Sequence, residues 1–146
     1  VIKRKRSSKL DYMKVGQGLE MVNHLCFLWV DMDYIYKIKV TRVIDGDTID
    51  AEIDLGFNMT LSKRIRLHGI DTPETRTRDK EEKLRGFAAK RRFQQIIDEQ
   101  SNILYLKSLD QGKFGRCIGV LFEENFDDQS INDLLVQEGH AVVYDK

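Results

Sequence analysis

Apolar and polar residues alternate along the chain from residue 34 to residue 68, which is the period of half-buried β-strands. Two turn signals divide this stretch, the dipeptide Asp45-Gly46 and the segment 55–58 with Gly56 inside it. The apolar positions expected to face the core are Tyr34, Tyr36, Ile38 and Val40, then Ile49, Ala51 and Ile53, then Met59, Leu61, Ile65 and Leu67. Three strands joined by short turns predict an antiparallel meander.

A helical period replaces this alternation over residues 80–98. The apolar residues at helical spacing are Ala89, Phe93, Ile96 and Ile97, with Leu84 and Ala88 nearby. Residues 103–107 and 116–122 return to a strand pattern, and Ser130 with Asp133 has the spacing of a capping box ahead of a short helix that a glycine ends. This order predicts an α+β, mainly β fold: a five-stranded OB-fold-like β-barrel with a helix between strands 3 and 4 and a short C-terminal helix.

The length of 146 residues, with 41% hydrophobic and 33% charged residues, fits one soluble globular domain. We expect this domain to occupy residues 34–146 and residues 1–33 to form an extension outside the core. The longest apolar run, residues 25–30, is far short of the ~20 residues that span a bilayer, so no membrane partner is expected. Polar residues separate that run from the basic cluster at residues 3–9, which argues against a signal peptide and leaves both a cytoplasmic and a secreted location open.

The formal net charge of +0, from 24 Lys and Arg against 24 Asp and Glu, hides an uneven distribution. Residues 63–92 contain eleven Lys and Arg and five Asp and Glu, whereas residues 121–146 contain seven acidic residues and one lysine. The basic region carries a positive field, so a neutral total does not exclude a nucleic-acid partner. Cys26 and Cys117 form no C-x-x-C pattern, which argues against zinc; two thiols are favoured, and one disulfide stays open.

Carboxylates follow the ends of the predicted strands. Asp45 and Asp47 come after the first strand and Asp71 after the third, and in a meander these two ends lie at the same edge of the sheet. Two converging carboxylates with backbone carbonyls and water suit a hard cation such as Ca²⁺ or Mg²⁺, although an isolated Asp-Gly is more often only a turn. Glu74, on a loop stiffened by Pro73, is placed to hold or deprotonate a water beside that cation; the alternative is an ordinary acid ahead of a helix.

Two arginines of the sequence could bind a phosphate group beside these carboxylates. Arg66 shares a strand face with Arg64 and His68, and Arg116 begins a later strand. A guanidinium matches phosphate oxygens in bidentate fashion and stabilises the charge that develops in phosphoryl transfer. Taken singly, these arginines also fit a solvated strand face or a salt bridge, so only their combination with the carboxylates indicates function.

That combination resembles the staphylococcal nuclease-like (thermonuclease, micrococcal nuclease) family. The matching segments, in the family's order, are Ile44-Asp45-Gly46-Asp47-Thr48, Arg66-Leu67-His68-Gly69-Ile70-Asp71-Thr72-Pro73-Glu74-Thr75 and Lys113-Phe114-Gly115-Arg116. The resemblance extends over about residues 37–144. It implies a calcium-dependent endonuclease that hydrolyses DNA and RNA to 3′-phosphate ends and cuts single-stranded or frayed substrate best. A monomer is expected as the default for a small barrel.

The resemblance also implies a role for each matching position. The positions that match calcium ligands are Asp47, Asp71 and the carbonyl of Thr72, with Asp45 in support. Those that match catalytic residues are Arg66 and Arg116, which would hold the scissile phosphate, and Glu74, which would orient or deprotonate the attacking water. Those that match substrate-binding residues are Lys113 and Tyr144. Phe114 departs from the family, whose usual residue there is tyrosine.

Two other functions compete with hydrolysis. One is a catalytically inactive OB-fold scaffold that only binds nucleic acid. Scaffold members of the family lose the acidic and arginine residues that this chain keeps, so hydrolysis is favoured. A histidine-based hydrolase is disfavoured, because no Ser or Cys partner in a recognisable elbow accompanies the histidines at positions 24, 68 and 140.

Overall fold

The five predicted strands close on themselves as a barrel in the computed structural model, which describes residues 34–124 and 129–144. The barrel strands are β1 (Tyr34–Asp45), β2 (Thr48–Gly56), β3 (Met59–Leu67), β5 (Ile103–Gln111) and β6 (Cys117–Phe122). They are hydrogen-bonded in the order β1-β2-β3-β6-β5, and β5 returns to β1. All neighbours are antiparallel except β3 and β6, which pair in parallel over three residues. The predicted meander and barrel are confirmed.

Within residues 34–124 and 129–144, two helices lie in the predicted places. Helix α1 (Lys80–Glu99) lies between β3 and β5, and the side chain of Asp79 caps it by accepting a hydrogen bond from the Glu81 N–H. Helix α2 (Ile131–Gln137) begins at the predicted capping box, where the Ser130 hydroxyl donates to Asp133 and accepts from the Asp133 N–H. The α+β, mainly β fold class is therefore confirmed.

The core fills the barrel and the space beneath the two helices. The largest fully buried side chains come from every barrel strand and from both helices: Ile38, Ile49, Ile65, Leu67, Leu104, Leu106, Leu121, Phe93, Ile96, Ile97, Ile131 and Leu135. Each such side chain stabilises the fold by about 1.5–3 kcal/mol relative to exposure to water. The predicted core positions Ile49, Ala51 and Ile53 of β2 are buried, and so are Ala89, Phe93, Ile96 and Ile97 of α1.

The prediction that Tyr34, Met59 and Leu61 face the core was wrong, because all three are exposed. Tyr34 precedes Ile38, the first β1 residue that pairs with β2. β6 pairs with β3 only over residues 65–67, so no strand of the described part of the chain pairs with the beginning of β3 on that side. Alternation predicted the strand correctly, but it does not report where the neighbouring strand ends.

A small second sheet was not predicted. It consists of β4 (Ile70–Asp71) and β7 (Val142–Val143), which pair antiparallel. The Tyr144 N–H extends this sheet by donating to the carbonyl of Gly69. The sheet brings the segment after α2 alongside the segment that follows β3.

Two predictions remain, one on the N-terminal extension and one on the absence of a membrane partner. The expected extension, residues 1–33, lies outside the described residues. Within residues 34–124 and 129–144, no helix is both long and apolar enough to cross a membrane.

Candidate active site

One guanidinium holds together the two carboxylates that were predicted to converge. Arg66 donates from Nη1 to Asp47 Oδ1 at 3.1 Å and from Nη2 to Asp71 Oδ1 at 2.6 Å. Arg66 lies in β3, Asp47 follows β1 and Asp71 ends β4. The structure therefore places both carboxylates within the width of a single guanidinium, at the edge of the sheet where the meander predicted them.

Asp47 is the buried member of this cluster, with only 3% of its surface exposed. A buried carboxylate needs hydrogen-bond donors to offset the loss of water. Besides Arg66, Asp47 accepts from the Thr48 hydroxyl at 2.8 Å and from the Thr72 N–H at 3.3 Å. These bonds fix the carboxylate and attach the loop after β4 to the turn after β1.

Two glycines let α1 approach both loops that carry the cluster. A Cβ on Gly46 would lie 2.9 Å from the Ala89 Cβ of α1 and 3.0 Å from the Thr72 side chain. A Cβ on Gly86 would lie 2.7 Å from the carbonyl oxygen of Pro73. Such distances are closer than van der Waals contact allows, so side chains at these positions would push the helix away from the loops.

Asp45 contributes to the cluster indirectly. Its carboxylate accepts a hydrogen bond from the Thr75 hydroxyl, across 30 positions of sequence. This bond ties the end of β1 to the loop that carries Glu74. The structure thus places Asp45 as a support for that loop, and it shows no bond from Asp45 to Asp47 or Asp71.

A groove and a depression meet at Asp71. The groove has a volume of about 730 Å³, and the predicted site residues that line it are Arg66, Asp71, Lys113, Arg116 and Tyr144. The depression has a volume of about 510 Å³, and the predicted site residues that line it are Asp71, Thr72 and Glu74. Asp47 lies beneath this junction, bonded to Arg66 and Thr72. The structure therefore brings all the predicted residues except Asp45 to one continuous surface or to the layer directly under it.

Residues 64–146 match the family model described as staphylococcal nuclease homologue. The chain belongs to this family. It is 30% identical over 122 residues to micrococcal nuclease from Shigella flexneri, a match that covers 80% of this chain and 60% of the relative. It is also 30% identical over 135 residues to the uncharacterized protein MJ1439 of Methanocaldococcus jannaschii, covering 80% of this chain and 63% of the relative. The chain thus spans about three fifths of the length of these relatives.

The loop before β6 gives this family member an exposed aromatic ring. Residues 113–115 form one turn of 3₁₀ helix, in which Phe114 and Gly115 both adopt left-handed conformations with φ of 63° and 71°. The Gly112 N–H donates to the carbonyl of Arg116 at 2.8 Å and closes the loop. Phe114 is consequently 92% exposed, beside two cationic groove residues.

Arg64 differs from Arg66 although both lie on one face of β3. Arg64 forms a bidentate pair with Asp50, donating from Nε at 2.7 Å and from Nη2 at 3.0 Å. Hydrogen bonding from Arg64 lowers the pKa of the Asp50 carboxyl below its usual value. This pair lies on the exposed barrel wall and takes no part in the groove, which makes Arg64 a matched control for Arg66.

Asn132 supports the site and was missed by sequence reasoning. It is buried in α2; its Oδ1 accepts from the Leu121 N–H at 3.2 Å and its Nδ2 donates to the His68 carbonyl at 2.9 Å. It therefore fastens α2 to the strand edge from which the groove is built. The one signal in the sequence is an amide residue directly after the apolar Ile131, at the start of a helix.

The oxygen donors at the junction fit a hard divalent cation. Asp47 and Asp71 supply two carboxylates, which Arg66 joins. Among the residues that the structure describes, no three His, Cys, Asp or Glu side chains converge on one point. A cation here would take two carboxylates and complete its shell with a backbone carbonyl, water or substrate oxygens, which suits Ca²⁺ and Mg²⁺.

Proposed function

We propose that this chain is a calcium-dependent nuclease that hydrolyses phosphodiester bonds of DNA and RNA and leaves 3′-phosphate ends. The observation that carries the proposal is the Arg66 guanidinium between Asp47 and Asp71, at the bottom of a groove lined by further cations. Membership of the staphylococcal nuclease family supports the reaction class, as does the similarity to a relative named micrococcal nuclease.

Arg66 and Arg116 are proposed to hold the scissile phosphate. A guanidinium has five N–H donors, and Arg66 uses two of them on the carboxylates, so the others can meet phosphate oxygens. Arg116 lines the same groove. Preorganised donors of this kind stabilise the negative charge that develops on the phosphoryl oxygens during attack.

Asp47, Asp71 and the Thr72 carbonyl are proposed to hold Ca²⁺. When bound, the cation would supply positive charge to the phosphate and to its transition state. The two aspartates contribute different properties. Asp47 is buried and fixed by its hydrogen bonds, whereas the side chain of Asp71 is half-exposed at the junction of groove and depression.

Glu74 is proposed to orient the attacking water and accept its proton. It is exposed in the depression next to Asp71, and it makes no hydrogen bond with any residue that the structure describes. The water oxygen would attack phosphorus while the bond to the 5′ oxygen breaks, which leaves the phosphate on the 3′ side. The departing 5′ oxygen would take a proton from solvent.

Lys113 and Tyr144 are proposed to bind the substrate within the groove. The ammonium of Lys113 suits a phosphate, and the exposed ring of Tyr144 offers a stacking surface for a base. A base is accessible for stacking in a single strand or at a frayed end, so such substrates should be cut best. A monomer contains every residue that this proposal uses.

The test is hydrolysis of denatured DNA by the purified protein with millimolar calcium. We expect fragments whose 3′ ends resist polymerase extension until a phosphatase removes the phosphate, and we expect EDTA to stop the reaction. Binding without cleavage in the presence of calcium would instead establish the inactive scaffold. Cleavage that persists in EDTA would exclude the calcium dependence.

Two variants test the assigned roles. Arg66→Lys loses the planar fork and Glu74→Gln cannot accept a proton, so each should lower kcat about 100-fold or more. Arg64→Lys, two residues along the same strand face, is the matched control and should retain wild-type activity. Thermal unfolding should show that all three proteins are folded. Wild-type turnover in either site variant would contradict the role given to that residue.

A further inference from the structure

Helix α1 presents an unusual surface on the side opposite its buried residues. The outer face of α1 consists of Lys80, Lys83, Leu84, Phe87, Ala88 and Arg91, all exposed. The outward side of an amphipathic helix is ordinarily polar. Here 70% of Leu84 and 46% of Phe87 are accessible to solvent, and three cations surround them.

The cations on this face are unpaired among the described residues. Lys80, Lys83 and Arg91 form no ion pair with any residue in the described ranges, whereas the neighbouring Arg92 is paired with Glu138. The acidic residues at the start of α1 have a separate explanation, because carboxylates in the first turn interact favourably with the helix dipole. The outer face therefore combines unpaired positive charge with an apolar stripe.

This face adjoins the candidate active site. Ala88 and Arg85 line the depression that contains Glu74, on the far side of Asp71 from the groove. Leu84 lies four residues before Ala88 and Arg91 three residues after it, and residues at these spacings are neighbours on a helix surface. The depression consequently opens onto the outer face of α1. From Lys80 to Arg91 this face is about 16 Å long, given the 1.5 Å rise per residue.

We propose that the outer face of α1 binds the single-stranded nucleic acid that extends beyond the depression, on the side of the cleaved bond away from the groove. Lys80, Lys83 and Arg91 bind its phosphates, and Phe87 stacks with a base beside Leu84. This inference rests on the proposed function, since it takes nucleic acid as the substrate. A row of cations with an aromatic ring among them is the arrangement by which proteins bind single strands without sequence preference.

The experiment compares a long and a short substrate in variants of this face. Phe87→Ala removes the stacking ring, and a second variant combines Lys83→Gln with Arg91→Gln. Lys37→Gln, at an exposed position on β1, is the matched control for loss of a surface cation. Affinity for a fluorescent 20-nucleotide DNA strand is measured in EDTA at several salt concentrations. Hydrolysis of that strand and of a dinucleotide is measured with calcium.

We expect Phe87→Ala to weaken binding of the 20-nucleotide strand about tenfold, as the loss of one stacked base does. The double variant should lower the slope of log affinity against log salt by about 1.4, since each phosphate contact to a single strand contributes ~0.7. With calcium, kcat/KM should fall at least fivefold more for the 20-nucleotide strand than for the dinucleotide. Lys37→Gln should change neither the affinity nor the salt slope.

The remaining outcomes separate this inference from the proposed function. If the wild type hydrolyses neither substrate, nuclease activity fails, but weaker strand binding by the α1 variants would still support the surface. Unchanged affinity and salt slope in those variants would overturn it, and so would equal losses on both substrates. A final measurement is sedimentation of the same variants with vesicles of anionic phospholipid. If the variants lose vesicle binding and keep their affinity for the strand, the face binds a membrane surface and the inference is overturned.

Discussion

The contact between Gly46 and Ala89 allows a quantitative test of how the active-site loops are positioned. Gly46 does not have a positive φ, so backbone conformation does not require glycine at this position. The reason is that there is no room for a side chain. Gly46→Ala would put a methyl carbon 2.9 Å from the Ala89 Cβ and 3.0 Å from the Thr72 side chain, where ordinary contacts lie at about 3.5–4.0 Å. The helix or the loop must move by several tenths of an ångström.

Overpacking of this kind costs about 1–3 kcal/mol of unfolding free energy. Urea unfolding of the wild type, Gly46→Ala, Ala89→Gly and the double variant forms a double-mutant cycle. Ala89→Gly alone should cost about 1 kcal/mol through lower helix propensity. Because it also creates room for the new methyl group, the double variant should be at least about 1 kcal/mol more stable than additivity predicts. Recovery will be incomplete, since the Thr72 contact remains.

Strict additivity of the two substitutions would refute this explanation of Gly46. The same proteins also report on catalysis, because Thr72 is the residue whose N–H bonds Asp47. If the displaced loop carries Thr72 with it, kcat of Gly46→Ala should fall about tenfold or more, as displacements near 1 Å can cost up to ~100-fold. Partial recovery of kcat in the double variant would connect the loss to the crowded contact.

Two further predictions concern the attachment of α2. Asn132→Ala should lower the unfolding free energy by about 1–3 kcal/mol, because it leaves the Leu121 N–H and the His68 carbonyl without the partners that Asn132 provides. Urea unfolding measures the loss, and a change below about 0.5 kcal/mol would contradict this role of Asn132. Hydrogen bonding from Arg92 lowers the pKa of Glu138. The ion pair between them therefore stabilises the fold at pH values above the usual glutamate pKa, and this stabilisation is lost as the pH falls through the lowered pKa. The unfolding free energies of wild type and Glu138→Gln should therefore differ by about 0.5–1 kcal/mol at pH 7 and converge as the pH falls through the lowered pKa of Glu138. A difference that stays constant with pH would contradict the assignment.

Much of the fold follows from local periodicity because each strand and helix buries one side. The barrel strands and both helices were predicted for this reason. The meeting of Asp47 with Asp71 was predicted from the meander, which places the ends of the first and third strands at one sheet edge. The failures have one cause in common, which is that periodicity describes an element and not its neighbours. Leu61 and Leu84 occupy apolar positions of correctly predicted elements, yet both are exposed.

The features of the site that the sequence did not predict depend on contacts distant in the chain. The bond that fixes Asp47 to the Thr72 N–H spans 25 positions, and the bond from Asn132 to the His68 carbonyl spans 64. The two-residue strands β4 and β7 are too short to produce any period. Asp-Gly predicted a turn, but the close approach of α1 to Gly46 becomes visible only when the helix is in place.

The sheet formed by β4 and β7 has a consequence for how the protein would respond to heat. It positions Asp71, yet it consists of two residues per strand, and both valines of β7 are exposed. Opening this sheet removes little apolar contact, whereas melting the barrel exposes the whole core, so the two events differ greatly in free energy. Loss of the Asp71 position should therefore precede unfolding, and the temperature at which the proposed nuclease activity disappears would lie below the temperature at which the barrel melts.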